Sequence, residues 1–299
     1  MDRLTSIICA VDFTPSSASA LAQAARIAKW NQAKLHVVHV IETLVSMEFQ
    51  EALTPYVEDI EKGLLGEARS AWASFAPDVP GKASMDFEIA INNPLVEIVK
   101  RIRDRKADLL VMGSHGVSPA NTTGILAAQC VRRSPTRVLL VRDRHTGPYK
   151  NIVACVDFSE TSRDALDAAA RIAAQDSATL HVLHVFHSPW KSLRAPAAAD
   201  LARAYYEGVL ERLEKFCTPA RPNLSWVKPH FDLVESSGHG AAIANFVRTN
   251  GCDLTVLGTR GRTNLRDVLM GSTAERVVRD APCSILAIKP EDSGADPSN

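Results

Sequence analysis

The residues best suited to chemistry lie between Gly258 and Ser272, in the stretch GTRGRTNLRDVLMGS. Gly258, Gly261 and Gly271 are separated by two and nine residues, behind the apolar run Leu254 to Leu257 and ahead of the helical pattern STAERVVRD. That order is a strand, a glycine loop and a helix start. Glycines at such positions let the main chain come close to a ligand, and the free N–H groups of a helix start suit an anion. Arg260, Arg262 and Arg266 sit inside the loop, which fits a multiply charged phosphate chain better than a neutral ligand. Glycine loops after strands are common and loop arginines are often solvated, so spacing alone leaves both a phosphate cradle and an ordinary loop open.

Other candidate chemistry is weaker. LHVVHV and LHVLHVFH carry five of the nine histidines. Side chains three apart on a strand point to opposite faces, so neither His36 with His39 nor His181 with His184 can hold one ion. His181 and His187 share a face but lie about 20 Å apart along an extended strand. The expectation is half-buried, hydrogen-bonded histidines and no metal site. His115, in GSHG, has no fixed serine or carboxylate partner, and GxSxG is absent, so a hydrolase triad has no footing. Asp12 and Asp157 each end an apolar run, where a ribose anchor or helix-start role competes with binding magnesium or orienting water. The six cysteines (Cys9, Cys130, Cys155, Cys217, Cys252 and Cys283) are far apart and read as reduced, mostly buried thiols.

The elements that would position these groups come in two copies. The 299 residues suggest two domains of about 150 residues. Sliding the sequence by 145 residues lays IICAVDFTPSSASAL (Ile7 to Leu21) over IVACVDFSETSRDAL (Ile152 to Leu166). The same offset lays AKLHVVHV over ATLHVLHV, and ADLLVMGSHG over CDLTVLGTRG. Beyond that the first copy is shorter by two, since Ser134-Pro135 aligns with Ala281-Pro282 at an offset of 147. The boundaries drawn are 1–145 and 146–290, with 291–299 a disordered tail.

Within each copy the patterns alternate. Strand 1 is IVACVD or its counterpart, and helix 1 is capped by Thr14, with Pro15 behind it, or by Ser159, and runs to Lys29 or Ala174. Strand 2 is the histidine-bearing run. Helix 2 spans roughly Thr54 to Phe75 and Ala198 to Phe216, with Tyr56, Trp72, Tyr205 and Tyr206 read as packing rather than as a partner surface. Strand 3 lies near Asp86 to Ile91 and Trp226 to Val234, and helix 3 near Pro94 to Asp104 and Gly240 to Asn250. Strand 4 precedes the glycine loop, helix 4 follows it, and Arg137 to Val141 or Ser284 to Lys289 is strand 5. Alternating strands and helices make an open, doubly wound parallel sheet, whose ligands sit beyond the strand C-termini where the winding reverses. With strands 1 and 4 adjacent at that reversal, Asp157 and Gly258 face each other.

The G-x2-G-x9-G-S loop, the VDFS end of strand 1, LHVLHV and the closing APCSILAIK together resemble the universal stress protein family, in its tandem, two-domain form. The resemblance implies Rossmann-like five-stranded parallel sheets in the order 3-2-1-4-5, ATP or another adenine nucleotide at the switch point, and pairing through strand 5. The two halves would then pack as a pseudo-dimer, with a homodimer open. Carried over by position, Asp157 would meet the ribose and adenine side and the Val185 backbone the adenine edge. Gly258, Arg260 and Gly261 would line ribose and phosphates, and Gly271, Ser272 and Thr273 would bind the phosphates, with magnesium a candidate companion.

The first copy departs from this pattern. Its loop, GSHGVSPANTTGI, has seven residues between Gly116 and Gly124, places Ile125 where Ser272 stands and contains no arginine. ATP is therefore expected in the second domain and not in the first. The expected function is an ATP-binding stress-response regulator. A small-ligand or protein-interaction module that does not use ATP, and a weak ATPase, are the alternatives. The loops after strand 1 lack SGGxDS and the chain lacks HxGH, which counts against the enzyme relatives with similar sheets. The 34 basic and 34 acidic side chains cancel, so nucleic acid and membrane are not expected partners. The N-terminal apolar run stops at Asp12, too short for a signal segment, and a cytoplasmic protein with an unidentified protein partner is the expectation.

Overall fold

The computed structural model describes residues 4–42, 57–82, 85–116, 123–188, 198–217, 227–261 and 270–290. The chain divides into two compact units, residues 2–147 and 148–299. The first holds β1 (Ser6–Ala10), α1 (Pro15–Asn31), β2 (Lys34–Ile41), α2 (Val57–Ser74), β3 (Asp86–Ile91), α3 (Pro94–Asp104), β4 (Leu109–Gly113), α4 (Ile125–Arg133) and β5 (Arg137–Val141). The second repeats the series as β6 (Asn151–Cys155), α5 (Glu160–Asp176), β7 (Thr179–Phe186), α6 (Ala198–Cys217), β8 (His230–Glu235), α7 (His239–Thr249), β9 (Leu254–Gly258), α8 (Ser272–Asp280) and β10 (Ser284–Ile288).

Each unit is a parallel sheet, in the order β3-β2-β1-β4-β5 in the first and β8-β7-β6-β9-β10 in the second. Registers repeat with the sequence: Ser6 pairs with Lys34 and Ile7 with Leu109, as Asn151 pairs with Thr179 and Ile152 with Leu254. The central strands are apolar throughout because helices cover both faces, and Ile7, Leu110, Ile152, Leu254 and Val256 are all but inaccessible. Each such side chain contributes roughly 1.5–3 kcal/mol on leaving water. Fully buried alanines, Ala20 and Ala24 in α1 and Ala165 and Ala169 in α5, let these helices lie close on the sheet.

Helix starts follow the sequence signals. Thr14 caps α1 by accepting from the Ser17 N–H, and Ser159 caps α5 by accepting from the Ser162 N–H. Both helices run two residues past the expected ends, because Gln32 and Ser177 take left-handed C-cap conformations, at φ 54° each, that carry no glycine signature. The strand expected from Trp226 starts only at His230: Pro229 has no N–H for the ladder, and Trp226 lies outside the described residues. Thr54, Tyr56 and the segment 291–299 also lie outside them. Trp72 stacks on Phe87 with ring centroids 4.2 Å apart, a packing role, whereas Tyr206 is exposed.

At the strand N-termini a carboxylate clamps neighbours in both units. Asp108 accepts from the Thr5 and Ser6 N–H groups, and Asp253 from those of Lys150 and Asn151. At the opposite, C-terminal end, strand 1 of each unit finishes in an Asp–Phe pair. Phe13 and Phe158 sit at φ 62° and 66°, in the left-handed region that a bulky side chain occupies at a cost of roughly 1–2 kcal/mol. Packing holds them there. Phe158 lies 4.5 Å from the His184 ring, meets Phe216 edge-on at 5.5 Å and carries the Arg212 guanidinium 4.2 Å above its face. Because alanine keeps the strained Cβ and glycine does not, Phe158→Gly should be more stable than Phe158→Ala by about 1 kcal/mol, the reverse of the usual order. Urea denaturation midpoints measure the difference; an alanine variant that is the more stable would show that no such constraint operates.

Candidate functional site

A cavity of about 480 Å³ opens in the second unit at the C-terminal ends of β6, β7 and β9. Asp157, Val185, Gly258, Arg260, Gly261, Gly271, Ser272 and Thr273, the eight residues singled out in the sequence, all line it. Arg262 and Arg266 lie outside the described residues. The topology explains the convergence. The winding reverses between β6 and β9, so the turns that follow these strands part and leave a crevice between them.

The side chains are set by local bonds. Asp157 uses Oδ1 to accept from the Ser159 N–H at 3.0 Å and the Ser159 hydroxyl at 2.5 Å. Its Oδ2 lies toward Gly261, 2.6 Å from where a Cβ on that residue would stand. The Leu183 carbonyl accepts from the Val156 N–H at 2.9 Å, so Val185, two residues on, turns its N–H and C=O to the same side, past the end of β6. The His184 Nδ1–H donates to the Val156 carbonyl at 2.7 Å. Burial, set against this bond and the nearby Asp157 carboxylate, keeps the His184 pKa below its ordinary value, so the ring is neutral near pH 7.

The three loop glycines have different reasons for being glycine. A Cβ on Gly258 would press on Thr161 of α5 at 2.9 Å, so this glycine serves helix–strand packing as well as the cavity wall. Gly261 makes room for the Asp157 carboxylate. Among the described residues a Cβ on Gly271 would meet nothing nearer than the Thr259 carbonyl at 3.7 Å, an ordinary contact. Its N–H donates to that carbonyl at 2.8 Å, and it caps α8 with no side-chain bond to the first-turn N–H groups. Those groups point out of the helix beside the Ser272 and Thr273 hydroxyls, at the positive end of the helix dipole.

Sequence spacing missed several lining residues: Phe158, Arg212, His187, Tyr205 and His239. Arg212 and Tyr205 come from α6, whose register against the crevice no motif specifies. His239 opens α7, and a Gly-His pair is a poor helix-start signal. Cys155 also lines the cavity, and its buried thiol titrates well above the ordinary range. Two of the strand histidines are held by carboxylates: His181 Nδ1 lies 2.9 Å from Asp232, and His36 Nδ1 lies 2.7 Å from Asp86.

In the first unit the helix-start frame is kept: Gly124 caps α4 and donates to the Ser114 carbonyl at 2.8 Å, the counterpart of Gly271 and Thr259. Its amide donors thus remain, and the isoleucine at position 125 removes a hydroxyl, not the helix start. His115, without a partner in the sequence reading, has two. Its Nδ1 lies 3.0 Å from the Ser114 hydroxyl and its Nε2 2.9 Å from Asp143, which the β4–β5 pairing brings alongside from 28 residues away. Ser114 is buried and is not among the described residues that line the first unit's cavity, so the trio braces the loop.

A duplicated, doubly wound α/β fold with a crevice at each strand reversal defines the class of protein. The chain matches the universal stress protein family over residues 4–142 and 148–289, and it belongs to that family. A universal stress protein of Methanocaldococcus jannaschii is 34% identical over 144 residues, covering 47% of this chain and 82% of its own length. One from Coxiella burnetii is 30% identical over 150 residues, covering 47% and 96%. The solved universal stress protein of Archaeoglobus fulgidus covers 95% of this chain and 98% of its own at a TM-score of 0.61 and 19% identity, a likeness of fold over both domains. Among the described residues no helix is long and apolar enough to cross a membrane.

Two measurements follow from this geometry. Gly258→Ala should cost about 1–3 kcal/mol through overpacking against Thr161, while Gly271→Ala should stay within about 1 kcal/mol of the parent. Equal urea midpoints for the two would contradict the packing assignment. The second concerns Lys289, whose ammonium is brought down from 10.5 to about 8 by burial and, secondarily, by Arg260. Its charged form is disfavoured in the folded state, so below pH 8 it is a burden that lifts as pH rises from about 8 toward 10.5. Relative to Lys289→Met, the parent should gain on the order of 2–3 kcal/mol across that window. Flat parallel curves would refute it.

Proposed function

We propose that this chain is a stress-response regulator whose second domain binds an adenine nucleotide, ATP, and whose first domain does not. The observation that carries the reading is the start of α8: uncapped by any side chain among the described residues, bearing Ser272 and Thr273, and opening into the same cavity as Asp157 and Arg260. An uncapped helix start with adjacent hydroxyls and a guanidinium is an anion site. A carboxylate with one oxygen turned to the cavity, across from that anion site, suits hydroxyl donors. A molecule with a phosphate chain at one end and ribose hydroxyls in the middle satisfies both.

In this reading Asp157 Oδ2 accepts from the ribose, and the outward-facing N–H and C=O of Val185 pair with the adenine edge. Gly258 and Gly261 keep the wall low beside the ribose. Arg260, the Gly271–Thr273 backbone and the two hydroxyls hold the phosphates. A magnesium ion would supply charge neutralisation on the phosphates; Asp157 is the only carboxylate among the described lining residues and is the candidate to support it. The first domain keeps the amide donors of α4 but has Ile125, Leu126 and His115 at the corresponding positions. Its short loop and missing hydroxyls remove most of the phosphate contacts.

The test is to denature purified protein and chromatograph the released nucleotide, alongside ATP titrations of the parent, Gly271→Val and Gly124→Val. Among the described residues a Cβ on Gly271 would make only an ordinary contact, with the Thr259 carbonyl at 3.7 Å, so a larger side chain there should displace ligand and not the fold. The expected result is at least a ten-fold loss of ATP affinity in Gly271→Val and an unchanged affinity in Gly124→Val. Equal losses would refute the division between domains, and an absence of ATP binding in the parent would refute the reading as a whole.

A further inference from the structure

The first domain has its own cavity, of about 320 Å³ against about 480 Å³ in the second, and its lining is a selective edit of its twin's. One half is kept. Asp12 accepts through Oδ1 from the Thr14 N–H and hydroxyl, at 3.1 and 2.5 Å, and its Oδ2 lies toward Gly116, 2.8 Å from where a Cβ would stand. The Val11 N–H donates to the Val38 carbonyl at 2.9 Å, which turns the backbone of Val40 past the end of β1, as Val185 is turned past β6. The His39 Nδ1–H donates to the Val11 carbonyl at 2.8 Å, as His184 does to Val156. The carboxylate and the backbone edge are therefore equivalent in the two domains, as are Ile98 and Met112 to Ile243 and Leu257, whereas Phe158, Phe186, Tyr205 and Val209 of the second cavity have no counterpart among the described lining residues of the first.

The other half is reversed in character. Ser272 and Thr273 are matched by Ile125 and Leu126, and Arg260 by His115, whose ring is held by Ser114 and Asp143. Glu42 stands where the second cavity has His187. Among the described lining residues the second cavity has two arginines, and the first has two carboxylates and neither lysine nor arginine. The helix-start amides of α4 remain as an anion-attracting feature. Ile125, 80% exposed, puts an apolar side chain at that helix start, and Asp12 and Glu42, which line the same cavity, disfavour a negative ligand.

Resting on the reading of the second domain as a nucleotide site, we propose that the first-domain cavity binds the uncharged nucleoside, adenosine, and rejects its phosphorylated forms. Asp12 accepts from the ribose hydroxyls, the Val40 backbone pairs with the ring edge, and Ile125 and Leu126 pack where phosphates would otherwise lie. Its size suits this: it falls at the small end of the ~300–1,000 Å³ typical of ligand sites. The chain then carries a receptor for the charged nucleotide and one for its dephosphorylated form, on the same scaffold.

The full chain, labelled with ¹³C at isoleucine and methionine methyl groups, reports on each cavity separately. Ile125 and Met112 line the first and Ile243 the second. Adenosine should shift Ile125 and Met112 saturably, and ATP at the same concentration should shift Ile243 while leaving those two in place. Asp12→Asn, which keeps an acceptor for Thr14, should retain the methyl spectrum of the folded parent and bind adenosine at the first site at least ten-fold more weakly. The proposal is overturned by an adenosine titration that leaves Ile125 and Met112 unmoved, by ATP moving them as adenosine does, or by an undiminished response in Asp12→Asn. ATP that leaves Ile243 unmoved instead overturns the second-domain reading, and the two failures are seen at different methyl groups.

Discussion

Each domain turns on a strained residue at the end of its first strand. An aspartate there can face a crevice only if the chain breaks sharply out of the sheet, and the left-handed phenylalanine that follows makes that break. The strain is held by aromatic contacts: Phe13 against His39, Phe75 and Phe87, and Phe158 against His184 and Phe216 with Arg212 on its face. The same histidines donate to the carbonyl of the valine just before the aspartate. Packing, backbone conformation and carboxylate position are thus one coupled unit, present in both copies. Its repetition in a second sequence context shows that it belongs to the fold and not to one ligand.

Onto this common unit the two domains add different rims. The glycine loop of the second brings an uncapped helix start, two hydroxyls and an arginine to the crevice, all of them groups that donate to negative charge. The first keeps the helix start and surrounds it with isoleucine, leucine and carboxylates. The backbone anchors of the two loops match, with Gly124 to Ser114 and Gly271 to Thr259 at 2.8 Å each. A loop shorter by two residues has therefore left this anchor intact, and the described lining residues of the two domains differ in side-chain chemistry. That is the kind of change by which a duplicated domain can alter its ligand without losing its fold.

The loop glycines show how a motif can be read correctly for mixed reasons. All three were identified from a spacing that suggests ligand approach, yet a Cβ on Gly258 would collide with α5 and one on Gly261 with Asp157. Of the three, Gly271 alone has no close neighbour among the described residues. His115 gives the converse lesson: its partner Asp143 is 28 residues away and becomes a neighbour only through strand pairing.

Apart from the cavity residues that the family resemblance named, what the sequence by itself determined was the duplication, the alternation of strands and helices, the caps at Thr14 and Ser159, and the placing of Asp157 opposite the glycine loop. These are legible because local periodicity, capping chemistry and glycine spacing act over a few residues, and the repeat doubles every signal. The tertiary structure decided the rest. It set the left-handed turn at Phe13 and Phe158, the arrival of Arg212 and His239 at the cavity, and the separate duties of the three glycines. None of these has a local signature, because each depends on which distant side chains occupy the space around a residue. That space exists only once the sheet and its helices have closed around it.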